Sequence, residues 1–189
     1  MAVVALTVGL GSTAANAEDN PAPTPTGELN TVVPMTVTGY DADVAAANGF
    51  EIVVHDDGSW ESVPVTPEAQ AAAEQSDAAA LSGPNVSARG TVYGNCGSAM
   101  IDTDRNGNLV TVVSGYDVVA PVANRINWSV VFVTWNGVQT LSWPNGPSPA
   151  HWRAYGGIIN GAAGFANAYG DVVLITGAVC GSGGPGDSF

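Results

Sequence analysis

The chain has no lysine. Its 189 residues carry four arginines against seventeen Asp and Glu, a formal charge of −13. Nucleic-acid and anionic-membrane binders neutralise phosphates with clustered Lys and Arg, and four scattered arginines form no such cluster. Cysteine is scarce too: two residues are too few for a zinc finger or a disulfide-dense scaffold. Only 11% of residues are charged and no Glu/Lys-rich heptads occur, which excludes a coiled coil. What is present is 46% apolar residues, 24 Gly and 12 Pro. That composition suits one modest globular domain with a flexible portion.

The first segment reads as an export signal over residues 1–17. Met1 to Gly11 is almost wholly apolar, and Ala15-Asn16-Ala17 supplies small residues for cleavage before Glu18. The run is shorter than the ~20 residues of a membrane helix, so no membrane span is expected once it is cleaved. No basic residue precedes it, which fits a true start lying upstream. The competing reading is a buried apolar N-terminal strand or helix. Export implies a secreted, extracellular protein in an oxidising compartment, where Cys96 and Cys180 can pair. A bridge between them, 84 positions apart, would contribute about 4–5 kcal/mol by the chain-entropy model. Neither Cys has a His or basic neighbour to make it a reactive thiolate.

Charge divides the rest. Residues 18–88 hold twelve Asp/Glu and no Lys or Arg, whereas residues 89–189 hold five Asp, four Arg and no Glu. Residues 18–36 read as a flexible, acidic, Pro-rich tail, since Pro21-Ala22-Pro23-Thr24-Pro25 favours extended chain. Residues 37–88 read as an acidic helix–hairpin–helix and linker region. A short helix is expected over Asp41–Asn48, stopped by Gly49. The runs Phe50–His55 and Trp60–Val65 flank Asp56-Asp57-Gly58-Ser59, a hairpin signal. Thr66 can cap an Ala-rich helix whose first position is Pro67. The loop signal Ser82-Gly83-Pro84-Asn85 then marks a boundary.

Residues 89–180 read as a disulfide-closed β domain, with a flexible tail at 181–189. Candidate strands are Gly90–Tyr93, Ser98–Thr103, Leu109–Val113, Tyr116–Ala120, Asn127–Trp135, Val138–Trp143, Gly164–Tyr169 and Asp171–Val179. Many short strands without helical periodicity predict an antiparallel β-sandwich, Ig-like or jelly-roll-like, preceded by the small α and hairpin region. The turn Asn136-Gly137 would set Trp135 opposite Val138 and Phe132 opposite Leu141. One face of that hairpin then carries Trp128, Val130, Phe132, Leu141 and Trp143, a core stripe. The other face carries Val131, Val133, Trp135, Val138 and Thr140, and is expected to be covered by another element.

Several motifs bear on chemistry. Asp102, Asp104 and Asn106, followed by Gly107, match the front half of a Ca2+ loop. Position 12 is Val113, where a bidentate Glu belongs, so a plain hairpin is the better fit. Ser182-Gly183-Gly184-Pro185 resembles the nucleophile segment of trypsin-like proteases, and His55, Asp102 and Ser182 fall in that family's order. The residues around them do not match, and chain order alone does not make a triad. A carboxylate-pair hydrolase would have to use Asp117 and Asp171, because the domain has no Glu. His151 is its only histidine, placed in an expected loop without an evident nucleophile. No catalytic residue is therefore assigned, and no cofactor other than Ca2+ is considered. The aromatic residues Trp135, Trp143, Trp152 and Tyr155 are the candidate binding residues, since flat half-exposed rings stack on sugars or anchor a protein.

Two stretches taken together carry a resemblance. Thr38-Gly39-Tyr40-Asp41-Ala42-Asp43-Val44 leads into the hairpin. Tyr93-Gly94-Asn95-Cys96-Gly97-Ser98 opens a domain that ends Gly177-Ala178-Val179-Cys180-Gly181-Ser182-Gly183-Gly184-Pro185. The chain thereby resembles small secreted two-cysteine proteins of Gram-positive actinobacteria. The resemblance implies an exported β domain with two cysteines and supplies no activity. The leading functional expectation is a non-enzymatic binding or interaction module for an extracellular glycan or protein. A small hydrolase is the alternative, as is a precursor that releases its β domain from an acidic propeptide.

Overall fold

The computed structural model describes residues 31–82, 96–143, 146–159 and 162–189. The export signal, most of the Pro-rich tail, the Gly83-Pro84-Asn85 loop signal and the Gly90–Tyr93 strand lie outside the described residues. From Gly97 onward, inward and outward residues alternate with the period of two that strands impose. The strands there are β4 (Gly97–Asn106), β5 (Leu109–Thr134), β6 (Gly137–Trp143), β7 (Ser148–Ile159), β8 (Gly164–Leu174), β9 (Ala178–Gly181) and β10 (Gly186–Ser188). They are joined by β1 (Val32–Tyr40) from the acidic region.

The protein is mainly β with antiparallel sheets, but the main sheet closes into a seven-stranded barrel where a sandwich is expected. The pairings show why. Strand β8 holds β5 on one edge and β9 on the other. Strand β9 pairs with β1, β1 with β4, and β4 with β5 again, so the ladder returns to its start, and β6 and β7, both paired with β5, bring the wall to seven strands. Closure removes most free edges, the usual liability of a sheet.

The key element is β5, 26 residues long. Its first part pairs with β4 and β7, and its last part with β6 and β8. Three strands are expected in this stretch, because Gly115 and Pro121 read as breakers. Gly115 is instead a close approach: a Cβ there would run into the carbonyl of Trp152 on β7. Pro121 falls inside a register shift between Asp117 and Val122, where a missing N–H does least harm. A second shift follows between Ala123 and Arg125. Buried positions run even from Val110 to Val118, switch to odd at Ala123, and return to even from Ile126. The irregularities bend the strand while leaving both ends facing the same core.

The β5–β6 hairpin forms with Thr134 opposite Gly137, not Trp135 opposite Val138. Gly137 takes the positive φ (+123°) and Asn136 does not, which moves the turn one residue toward the N-terminus. The slip changes every pairing by two residues, so the faces survive. Trp128, Val130 and Phe132 are buried, with Leu141 and Trp143 packed against the core. The opposite face is left on the outside of the barrel, with Trp135 and Val138 strongly exposed.

A polar thread runs through the mainly apolar interior. The indole Nε1 of Trp128 donates to Ser114 Oγ at 3.0 Å, and Ser114 Oγ donates to the Met100 carbonyl at 2.9 Å. Tyr116 is fully buried. Burial raises its phenol pKa, and the Ser148 hydroxyl opposes the rise in part. The expected disulfide is formed: Cys96 and Cys180 are bonded and buried, with Cα atoms 5.9 Å apart.

The acidic region is not separate from the barrel. Strand β1 sits between β4 and β9, so the expected boundary near residue 89 falls inside one closed sheet. The rest of that region follows its local signals. Helix α1 (Ala42–Ala47) is capped by Asp41, whose side chain accepts from Val44 N. The strands β2 (Phe50–Val54) and β3 (Trp60–Pro64) form the predicted hairpin. Helix α2 (Pro67–Ser82) starts on Thr66, which accepts from Ala69 N. Ala45, Phe50 and Ala69 make a small second core. The C-terminal residues differ from the expected flexible tail. Residues 186–188 pair with β8, Asp187 accepts from both the N–H and the hydroxyl of Thr103 at 2.7 Å, and the Phe189 ring packs on Phe132.

Two stability tests follow. Replacing both cysteines by Ser is expected to cost about 4–5 kcal/mol in urea unfolding, because the bridge closes an 84-residue loop. Ser114→Ala is expected to cost about 1–3 kcal/mol by the same measurement, because it strands the buried Trp128 N–H.

Candidate functional site

The aromatic candidates fall in two places. Trp143 and Trp152 belong to the packed interior. Trp152 stacks on Tyr116 at 5.6 Å and meets Trp128 and Trp143 edge-on at 6.1 and 6.3 Å. Trp135 and Tyr155 are exposed, at 72% and 73%. Trp135 sits in the β5–β6 turn and Tyr155 lies on the outer face of β7, and no ring contact joins them to each other or to the interior cluster.

The metal candidates lie on an extended strand. Asp102, Asp104 and Asn106 alternate along β4, all exposed on one face. Alternate strand residues stand about 6.6–6.8 Å apart, so their oxygens spread along a line instead of curling round an ion. The turn that follows is a two-residue hairpin, with Asn106 opposite Leu109. Among the described residues, no three His, Cys, Asp or Glu side chains group in a way that could hold a metal ion.

His55 and Ser182 of the protease-like pattern, and Asp171 of the carboxylate pair, serve separate local bonds. His55 Nε2 lies 3.0 Å from Glu61 Oε2 across the β2–β3 hairpin. Ser182 is buried, and its hydroxyl accepts from the Gly170 and Gly184 amides. Asp171 accepts from Asn127 Nδ2, its cross-strand neighbour.

One acid–base group does assemble. Residues 148–159 form β7, a strand where a loop is expected. Pro149 and Gly156-Gly157 weaken its strand signal, yet a proline is tolerated where β7 meets the bend of β5. The ladder sets His151 opposite Asp117 and Arg153 opposite Gly115. His151 Nδ1 lies 2.8 Å from Asp117 Oδ1, and Arg153 Nη2 donates to both Asp117 oxygens at 3.0 and 2.8 Å. Arg153 Nη1 also donates to the Tyr116 and Trp152 carbonyls. Burial pushes the Asp117 pKa up, but the hydrogen bonds and charges of Arg153 and His151 outweigh it and hold the carboxyl below its ordinary value. This group lies on the outer wall of the barrel, with His151 80% exposed.

A cleft of about 550 Å3 lies elsewhere, lined by Val37, Thr38, Gly39, Tyr40 and Trp60. Its place follows from local structure. Strand β1 has a bulge between Val37 and Gly39, and its end carries Tyr40 toward the β2–β3 hairpin. Trp60 opens β3, and the two rings lie nearly parallel, 7° apart in plane, with centroids separated by 6.1 Å. Tyr40 Oη donates to the Trp60 carbonyl at 3.3 Å. Ser62 Oγ on the same strand donates to the Thr176 carbonyl at 2.6 Å, and Arg125 bonds Asp41 at 3.2 Å. These bonds hold the hairpin against the barrel. Trp60 stays half exposed. Neither ring is among the sequence candidates. The available signal is a Trp in a two-stranded hairpin, which has too little sheet to bury an indole. Neither this cleft nor a second one lined by Ala42, Ala46, Phe50, Glu51, Ile52 and Val65 includes Asp117, His151 or Asp171.

Comparison of the chain with family models, curated proteins and solved structures finds no match.

The Asp117 cluster makes stability pH-dependent. A carboxyl with a depressed folded pKa stabilises the fold above its unfolded value, and that contribution is lost as pH falls through the folded value. Melting temperature is therefore expected to drop from about pH 4 downward. Asp117→Asn should lower it at pH 7 and flatten that acid limb. An unchanged limb in thermal scans from pH 7 to pH 2 would contradict the assignment.

Proposed function

We propose that the protein is a secreted, extracellular binding module that recognises a glycan or protein partner without chemical turnover. The observation that carries this reading is the lining of the Tyr40–Trp60 cleft: two parallel aromatic rings and no acid–base pair. Large clefts with aromatic walls and a few polar groups are the usual form of a recognition site. The hydrolase alternative needs its groups to converge around a substrate. Asp117 is held by Arg153, Asp171 is bonded to Asn127, and His151 projects from an outer wall. A buried disulfide between Cys96, the residue preceding β4, and Cys180 in β9 fits an oxidising compartment. No helix among the described residues is long and apolar enough to cross a membrane.

The precursor reading meets a structural obstacle. Cleavage near residue 89 would remove β1, which bridges β4 and β9 in the closed sheet. The acidic region is better read as part of the working fold.

The test is a screen of the full disulfide-bonded chain against glycan arrays, isolated cell-wall polymers and extracellular protein extracts. Saturable retention without release of reducing ends or peptides is the expected result. Release of product, abolished by His151→Ala or Asp117→Asn, would replace this reading with the hydrolase. Absence of retention on every surface would overturn it.

A further inference from the structure

We infer that the Tyr40–Trp60 cleft is a saccharide subsite that takes a neutral pyranose ring against the exposed face of Trp60. The inference rests on the binding-module reading and narrows it to one place and one ligand class.

The shape of the aromatic pair comes first. Rings that are 7° from parallel with centroids 6.1 Å apart are stacked, so Tyr40 backs one face of the indole and the pair makes no cage. A pyranose presents a flat face of C–H bonds whose partial positive charge meets the negative face of an indole. Quaternary ammonium groups are instead held by rings that converge on them from several sides. Trp60 is 52% exposed, so an indole face backed by Tyr40 stays open to a ligand.

Charge comes second. None of the five lining residues is an Asp, Glu, Lys, Arg or His. Next to them in the chain stand Asp41, paired with Arg125, and Glu61, paired with His55, and the same hairpin adds Glu51, Asp56 and Asp57 with no Lys or Arg, so the balance is negative. Phosphorylated, sulfated or uronic-acid ligands would enter against this field. A neutral sugar would not.

Preorganisation comes third. The two rings come from different sheets, Tyr40 from the barrel and Trp60 from the hairpin. The Tyr40 Oη bond to the Trp60 carbonyl and the Ser62 bond to Thr176 fix their relative position before any ligand arrives. The entropy of assembling the platform is thereby met in folding, not in binding. The cleft, about 550 Å3, is within the usual range for a small-ligand site.

The experiment is an NMR titration of the full chain, with Trp indole N–H signals assigned, using neutral oligosaccharides of glucose, xylose, mannose and N-acetylglucosamine. Polygalacturonate fragments and choline serve as charged probes. At least one neutral oligosaccharide is expected to shift the Trp60 indole signal saturably and to leave that of Trp135 in place. Trp60→Ala should weaken that binding by about tenfold or more. Tyr40→Phe, which keeps the ring, should weaken it less, and Trp135→Ala should have no effect. Trp60→Phe, which keeps a stacking face, restores part of the affinity and guards against a folding defect in Trp60→Ala. Saccharide binding that shifts other residues and survives Trp60→Ala would overturn the site and leave the module reading intact. Saturable choline or polygalacturonate binding at Trp60 without neutral-sugar binding would overturn the ligand class. Retention of a protein partner in the earlier screen, with every saccharide silent here, would overturn this inference alone.

Discussion

The fold depends on a single uninterrupted strand. Because β5 runs for 26 residues and bends midway, it serves two walls of the barrel and contacts four other strands. A straight strand of that length would be about 85 Å long and could not remain in one core. The register shifts around Pro121 and Ala123 supply the bend, and the paired switch of buried positions keeps Val110–Val118 and Ile126–Phe132 facing one interior. The disulfide then fastens the first residues of β4's side to β9, strands that β1 already bridges by hydrogen bonds.

Charge follows this architecture in a way that composition hides. The barrel wall has few charges, and its principal polar group, Asp117 with Arg153 and His151, is internally compensated. Most other acids of the described residues belong to the small α and hairpin region, which holds no Lys or Arg, although Asp41 pairs with Arg125 and Glu61 with His55. The part of the fold that carries Trp60 is therefore more acidic than the strands from β4 onward.

Local features were legible in the sequence, and closure was not. The caps at Asp41 and Thr66, the β2–β3 hairpin and the Cys96–Cys180 bridge each depend on a few residues or on redox logic, and each is present. The β5–β6 hairpin shows an intermediate case, because its faces follow from alternation whereas its exact register hung on which residue took the positive φ. Barrel closure rests on β1 pairing with β9, and nothing in either segment names the other. Glycine and proline misled in a consistent way. Gly115, Pro121, Pro149 and the glycine-rich C-terminal residues read as breaks, yet each lies in paired chain or beside it, where the reason is a close neighbour or a bend. The candidate site was missed for a related cause: Tyr40 and Trp60 are 20 residues apart and meet only because the hairpin folds back on the barrel.

The β1–β9 seam also has a kinetic meaning. Thr38 bonds the Val179 carbonyl across 141 residues of chain. Contacts of that span cost more loop-closure entropy than local ones, and folds rich in them form slowly. Until the seam forms, β4 and β9 each present an open ladder, the kind of surface on which partly folded chains aggregate. Covalent joining of Cys96 to Cys180 would lock the seam once it has formed. The barrel is therefore a slow-closing structure whose oxidation state decides how readily it reopens.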